Sequence, residues 1–225
     1  ADPRCGGPLR AHQALGYRTR IVDLTQGEHG TRGDASTRLA EATAAAEILG
    51  LHHRQNLGMA DGFFVNDSEH QLAIIRVIRT LRPDIVLANA VRDRHTDHGK
   101  AAELTAQACF LAGLGRIETV DETGRPQAPW RPKNGYHYIQ DRHITPDLVV
   151  DISPYWDRKK AAILAYESQF WKPDNNGPQT PISGEDFLLF LEGRNRDMGR
   201  SIGVTFGEGF TCARPPGTAN LFQLL

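Results

Sequence analysis

The run DIVLANAVRDRHTDHGKAAELTAQACFLAGL, Asp84–Leu114, decides the fold. It opens on a short continuous apolar run, as expected of a strand buried in a parallel sheet. It closes on AAELTAQACFLAGL, whose apolar residues recur at helical spacing. Between them lies VRDRHTDHGK, Val91–Lys100, with two histidines, two aspartates and two arginines. Strand, polar loop, helix is the repeating unit of an α/β protein.

The same alternation extends outward. RTRIVDLT, Arg18–Thr25, is strand-like and runs into the glycine-rich loop QGEHGTRG. STRLAEATAAAEILG then predicts an amphipathic helix, capped by Ser36 or Thr37 and ended by Gly50. LAIIRVIRTLRP predicts another, stopped at Pro83. Further on, YHYIQDR and DLVVDIS read as strands, and YWDRKKAAILAYESQF and EDFLLFLEGRNRDMGRSIG as helices. WKPDNNGPQTPIS reads as a polar loop, and GEGF as a turn. The pattern predicts an α/β, Rossmann-like, doubly wound and mostly parallel sheet in a single domain spanning residues 1–225. In such sheets ligands bind beyond the carboxyl ends of the strands. Two loops stand there: Gln26–Asp34 and Val91–Lys100.

Composition excludes several classes. The chain has 225 residues, 40% hydrophobic, enough for one sizeable core. Its formal net charge of -1 gives no field that would draw it to nucleic acid or a membrane. No apolar run approaches the ~18 residues of a membrane helix. Cys5, Cys109 and Cys212 are odd in number and far apart, which argues against a disulfide framework or a thiolate metal site. They read as small buried hydrophobes in a reducing cytoplasm. The opening ADPRCGGPLRAHQ has no initiator methionine and no signal-peptide pattern, and reads as processed, cut or misread.

His95 and His98 are the leading candidates for chemistry. A neutral imidazole at the mouth of a strand can bind a divalent metal, with a carboxylate, Asp97 or Asp93, taking its other ring proton. A spacing of three is tight for two ligands unless a helix begins between them. One histidine as ligand and the other as acid or oxyanion partner fits equally well, and a solvated polar loop is the plain alternative. In QGEHGTRG, Gly27, Gly30 and Gly33 let backbone amides approach an anion or a sugar, with Arg32 and His29 adding charge. This loop is not G-x-G-x-x-G, which weighs against a nucleotide-binding protein; a flexible turn fits it as well. Arg38 sits early in its helix, where the dipole disfavours a cation, and would face a ligand carboxylate or pair with Glu41. His137, flanking a strand, is a weaker candidate.

Several blocks, IVDLTQGEHGTRG, NLGMADGFF, RPDIVLANAVRDRHTDHGKAA, YHYIQDR, DISPYWDRKKAAILAYESQF and GEGFTCARP, together resemble the LmbE-like (PIG-L) deacetylase superfamily. The branch they resemble most is the N-acetylglucosaminyl-malate deacetylases of bacillithiol biosynthesis. The resemblance implies zinc-dependent hydrolysis of an acetamide on a small N-acetylated amino sugar, with one Zn2+ per site and His98 as a ligand. It gives His95 the role of general acid or oxyanion partner and Asp97 that of orienting carboxylate. Arg38 and Arg94 become substrate contacts, with Arg32 counted beside them. Related deacetylases are often oligomeric, which makes a homo-oligomer compatible with the resemblance. The family's A-H-P-D-D opening, which supplies two metal ligands and the base, has no counterpart ahead of CGGPLRAHQALGYRT. The expectation is therefore a domain truncated at its N-terminus and lacking its first strand. The alternative function is a non-catalytic sugar-binding remnant.

Overall fold

The computed structural model describes residues 5–171 and 177–224. The element order is α1 (Gly6–Ala14), β1 (Arg20–Thr25), α2 (Ala35–Leu49), β2 (His53–Met59), α3 (Ser68–Leu81), β3 (Ile85–Ala88), α4 (Thr96–Leu111), β4 (Asn134–Tyr138), β5 (Leu148–Asp151), α5 (Trp156–Leu164), α6 (Glu185–Ser201) and β6 (Gly207–Cys212). This is the α/β class that the alternation indicated. β1 pairs β2 in parallel, from Arg20 opposite His53 to Thr25 opposite Met59. β3 pairs β4 in parallel, Ala88 lying opposite His137. β4 pairs β6 antiparallel, with His137 opposite Thr211. The four-stranded sheet runs β3-β4-β6-β5.

The chain divides into two compact units. One comprises residues 1–61, 149–209 and 217–225; the other comprises 62–148 and 210–216. In the first unit the core gathers Leu49, Ile152, Trp156, Ile163, Tyr166 and Phe187, all nearly closed to solvent. Trp156 stacks on Phe206 at 4.5 Å between ring centroids. Lys159 and Glu208 form a buried ion pair in the same unit, Nζ to Oε1 at 2.9 Å. Burial pushes the Lys159 ammonium down and the Glu208 carboxyl up, each opposed by the other's charge. Asn195 accepts from Lys159 Nζ, and Glu208 accepts from the Gly7 amide at the start of α1, so no group of the pair lacks a partner.

In the second unit α3 packs on α4, presenting Ile74, Ile75 and Ile78 as buried residues, while α4 buries Ala101, Leu104 and Ala108. The long connection from α4 to β4 is organised by buried Arg79. Its guanidinium donates to the carbonyls of Ala112, Leu114 and Ile117 and to Thr119 Oγ1. The carbonyls of Ala112 and Leu114 also accept from the amides of Trp130 and Ile117, so the guanidinium ties together points that the backbone of the connection already links.

Several local readings change. The cap of α2 is Asp34, whose carboxylate accepts from the Thr37 amide at 2.7 Å, and not Ser36 or Thr37. Gly50 does end α2, in the left-handed conformation at φ 68°. GEGF is the start of β6 and not a turn. Gly207 serves close packing: a Cβ there would lie 2.7 Å from Val149 Cγ1 and 2.9 Å from the Gly199 nitrogen. β2 carries too many polar residues to read as a strand by itself; its pairing with β1 makes it one. The predicted helix from Tyr155 is shorter, ending at Leu164, after which Tyr166 and Phe170 turn into the core. Residues 172–176 of the predicted polar loop lie outside the described residues. Among the described residues no helix is long and apolar enough to cross a membrane. Cys5 is buried, Cys109 and Cys212 are partly so, and none of the three is in a disulfide.

Candidate active site

β3 ends at Ala88, and the chain crosses a short polar loop before α4 begins at Thr96. His95 is therefore the N-cap residue of α4, and the helix does begin between His95 and His98. His95 Nδ1 accepts from the Asp97 amide at 3.2 Å, satisfying one of the open amides of the first turn. His98 lies one turn on, and the two imidazoles stack with centroids 5.1 Å apart.

His98 is held from both ring nitrogens. Nδ1 is in a short hydrogen bond with Asp93 Oδ2. The other oxygen of Asp93 accepts from the amides of Asp141 and Arg142, each at 2.9 Å. Burial opposes the charge on Asp93. The hydrogen bonds from His98 and from the amides of Arg142 and Arg94 outweigh it, holding the carboxyl well below the usual range. At the far side, Gln140 Nε2 stands 3.2 Å from His98 Nε2. Gln140 Oε1 accepts from the Ala90 amide and from Asn89 Nδ2, which turns the Gln140 amide nitrogen toward His98 as a donor. The tautomer follows: Nδ1 carries the proton toward Asp93, and Nε2 offers its lone pair. A metal-binding imidazole needs this state, with a carboxylate fixing it from behind.

Asp97 is buried and turned elsewhere. Its Oδ2 accepts from the Gly62 amide at 2.7 Å, and its Oδ1 lies 3.4 Å from Lys100 Nζ. The carboxylate that orients His98 is thus Asp93, the alternative in the same loop, while Asp97 anchors the turn at Gly62. Arg94 is partly exposed and bonds Asp141 through Nε at 3.1 Å. His137 Nδ1 lies 2.8 Å from the Asn89 carbonyl, beside the end of β3.

Arg32 and Arg38 belong to the other unit. Arg32 is buried and donates to the carbonyls of Pro178 and Gly177, so its guanidinium serves loop packing more directly than a ligand. Arg38 is half-buried and donates through Nε to the Arg32 carbonyl. The glycine-rich loop closes around it: a Cβ on Gly30 would collide with Arg38 Nη2, and one on Gly27 would lie 3.2 Å from Nη1. Burial lowers the Arg38 pKa, opposed by the charges of Glu41, Asp61 and Tyr166. The expected pairing of Glu41 with Arg38 is not its hydrogen-bond partnership; Glu41 accepts from the amide and hydroxyl of Ser168. Asp61 closes the loop's other side, accepting from Thr25 Oγ1 and the His29 amide while donating its own amide to Glu28.

The donor set fits a metal at one position. His98 has the tautomer and the rear carboxylate of a ligand, but among the described residues no group of three or more His, Cys, Asp or Glu side chains is placed to hold an ion. Sequence reasoning singled out neither Gln140 nor Gly62. Gln140 sits within the quoted YHYIQDR, but a glutamine after a strand has no signal of its own until β4 is paired beside β3.

The family model described as PIG-L, GlcNAc-PI de-N-acetylase, matches residues 3–109. The diacetylchitobiose deacetylase of Thermococcus kodakarensis is 30% identical, over 75% of this chain and 68% of that protein. The chain belongs to the PIG-L (LmbE-like) deacetylase family. The 4-oxalmesaconate hydratase of Pseudomonas putida is 28% identical, over 97% of this chain and 86% of the relative. Among solved structures, the conserved protein TT1542 from Thermus thermophilus superposes with a TM-score of 0.83 at 33% identity, covering 98% of this chain and 93% of that one.

Proposed function

We propose that this protein removes the acetyl group from an N-acetylglucosaminide, with N-acetylglucosaminyl-malate of bacillithiol biosynthesis as the substrate. The observation that carries the reading is the Asp93–His98–Gln140 chain, which keeps one imidazole in the tautomer of a metal ligand next to a second imidazole at a helix N-terminus. Membership of a deacetylase family and the likeness to a diacetylchitobiose deacetylase support amide hydrolysis. His98 would hold a divalent ion, zinc by the family resemblance, which when bound would supply Lewis-acid activation. The remaining roles fall to protein groups. His95 carries a proton to the leaving amine or steadies the oxyanion formed at the acetamide carbonyl. The N-terminus of α4 adds its positive end to that stabilisation. Asp97 fixes the first turn on which His95 rides. Arg94 is matched in kind to a carboxylate of malate.

A second reading has its own support. The relation to a 4-oxalmesaconate hydratase runs over nearly the whole chain, so addition of water to a conjugated carboxylate is the rival chemistry. A non-catalytic sugar-binding protein is the third. The test is amine release from N-acetylglucosaminyl-malate alongside elemental analysis of the purified protein. Stoichiometric zinc and released amine support the proposal. Hydration of an unsaturated dicarboxylate without amine release favours the hydratase, and neither activity with no metal leaves the binding protein. His98→Ala is expected to reduce metal occupancy and turnover together, by more than ~100-fold. Retained zinc in that variant would refute the ligand role.

A further inference from the structure

α6 carries two stripes of side chains. Phe187, Leu191, Asn195 and Met198 are buried. The opposite stripe, at helical spacing, comprises Asp186, Leu189, Phe190, Gly193, Asp197 and Arg200, all exposed. The outward stripe of a surface helix is ordinarily polar. This one is apolar on one side of its middle, with Leu189 68% exposed and Phe190 45%. The Phe190 ring is steadied from its own helix, its centroid 6.1 Å from that of Phe187 and 5.3 Å from the Arg194 guanidinium carbon. Arg196, at the edge of the stripe, is held by Glu192 and lies over the Phe206 ring. Gly193 stands at the centre. Its backbone is helical and outside the left-handed region, and a Cβ there would meet nothing within 4 Å. A glycine inside a helix costs stability relative to alanine, and packing among the described residues gives no reason for this one. A bare helix surface does admit a second helix at close range. The charges share the same centre. Asp186 and Arg200 stand seven positions to either side of Gly193, and neither has an ion-pair partner among the described residues. Their signs suit the dipole of α6. They suit equally a copy of α6 running the other way.

We propose that this stripe is a self-association surface, on which α6 pairs antiparallel with α6 of a second copy of the chain across a twofold axis at Gly193. A twofold interface is isologous, so a residue on one side of the axis meets the residue equally far on the other side. Asp186 then meets Arg200 of the second copy, and Arg200 meets its Asp186. A parallel pair in the same register would set like charges together, so the charges select the antiparallel direction. The two glycines face each other and let the backbones approach. Leu189 and Phe190 of each copy then lose water against the facing helix. An interface built around one helix falls at the small end of the range for specific complexes, which makes the dimer weak and reversible. The surface is independent of the deacetylase reading.

Sedimentation equilibrium of the full chain at low salt, up to about 500 µM, tests the pairing. The wild type is expected to dimerise with a Kd on the order of 10–100 µM, weakening as salt is added. Gly193→Gln puts a side chain into the contact and should weaken association more than ~10-fold, while its melting temperature equals or exceeds that of the wild type, since glutamine suits a helix better than glycine. Asp186→Arg and Arg200→Asp should each weaken it about 3- to 10-fold, and the double variant, which swaps the charges, should return to within about 2-fold of the wild type. In the swap both charges oppose the helix dipole, so a role confined to one helix predicts a compounded loss and not a rescue. A wild type that stays monomeric throughout the range overturns the pairing, as does a dimer that Gly193→Gln leaves intact. A double variant no tighter than the single ones overturns the antiparallel arrangement. A monomer that binds lipid vesicles, with the binding lost in Leu189→Ser, also overturns it and assigns the stripe to a membrane surface.

Discussion

The loops after β1 and β3 hold the same place, each at the carboxyl end of a parallel strand and each leading into a helix, but they are built in opposite ways. The β3 loop is made of side chains. Asp93, His98 and Gln140 are joined ring to carboxylate and amide to ring, and backbone amides of residues 141 and 142 close the far end. The β1 loop is made of backbone. Gly27 and Gly30 bring the main chain against the Arg38 guanidinium at distances that leave no room for a Cβ at Gly30. The first construction sets a tautomer; the second sets the position of one charge. A loop can thus be specified by what its side chains bond to, or by how little side chain it has.

The comparison can be broken at three points. Asp93→Asn strikes the side-chain loop hardest. It removes the charge behind His98 and is expected to lower metal affinity and turnover about 10- to 100-fold, read by competition with a chelator and by amine release. Wild-type affinity in this variant would mean that Asp93 does not tune His98. Gly30→Ala strikes the backbone loop. The added Cβ meets the far end of a flexible side chain, so Arg38 swings aside while the fold stays. KM should rise by a factor of ~3–10, with a melting temperature within about 4 °C of the wild type. A large loss of stability with unaltered KM would assign the glycines to folding alone. The smallest effect concerns Asp34, where the β1 loop hands over to α2. Hydrogen bonds from the backbone amide and the hydroxyl of Thr37, and from the Ser36 hydroxyl, lower its pKa to about 2. A carboxylate with a depressed folded-state pKa stabilises above its unfolded value and loses that contribution as pH falls toward about 2. The difference in melting temperature between wild type and Asp34→Asn should therefore shrink between about pH 5 and pH 2. A constant difference would show that the charge contributes nothing to the cap.

Much of this was legible in the sequence. The continuous run before Asn89 and the helical spacing after Lys100 placed β3 and α4, because apolar periodicity reflects burial directly. HTDH drew attention for a different reason: imidazoles and a carboxylate at the mouth of a strand are the groups that can bind a metal. The roles within it were less legible. Asp97 and Asp93 are equivalent as letters, separated by four positions, and only the path of the loop puts Asp93 behind His98 and Asp97 against Gly62. GEGF shows the same limit, since glycines that permit close packing in a strand look like glycines that permit a turn.

The sequence by itself determined the α/β class, the order of most elements and the two loops at the carboxyl ends of β1 and β3, since these follow from local periodicity and from turn residues. The tertiary structure alone decided which carboxylate serves which imidazole, that Gln140 completes the His98 environment, and that the glycine-rich loop closes on Arg38. Gln140 meets His98 across 42 positions of the chain and Asp141 meets Asp93 across 48, through contacts of about 3 Å, while the other two relations depend on the path of a loop. Strand pairing and loop direction set contacts at that scale, and neither is written in the spacing of letters along the chain.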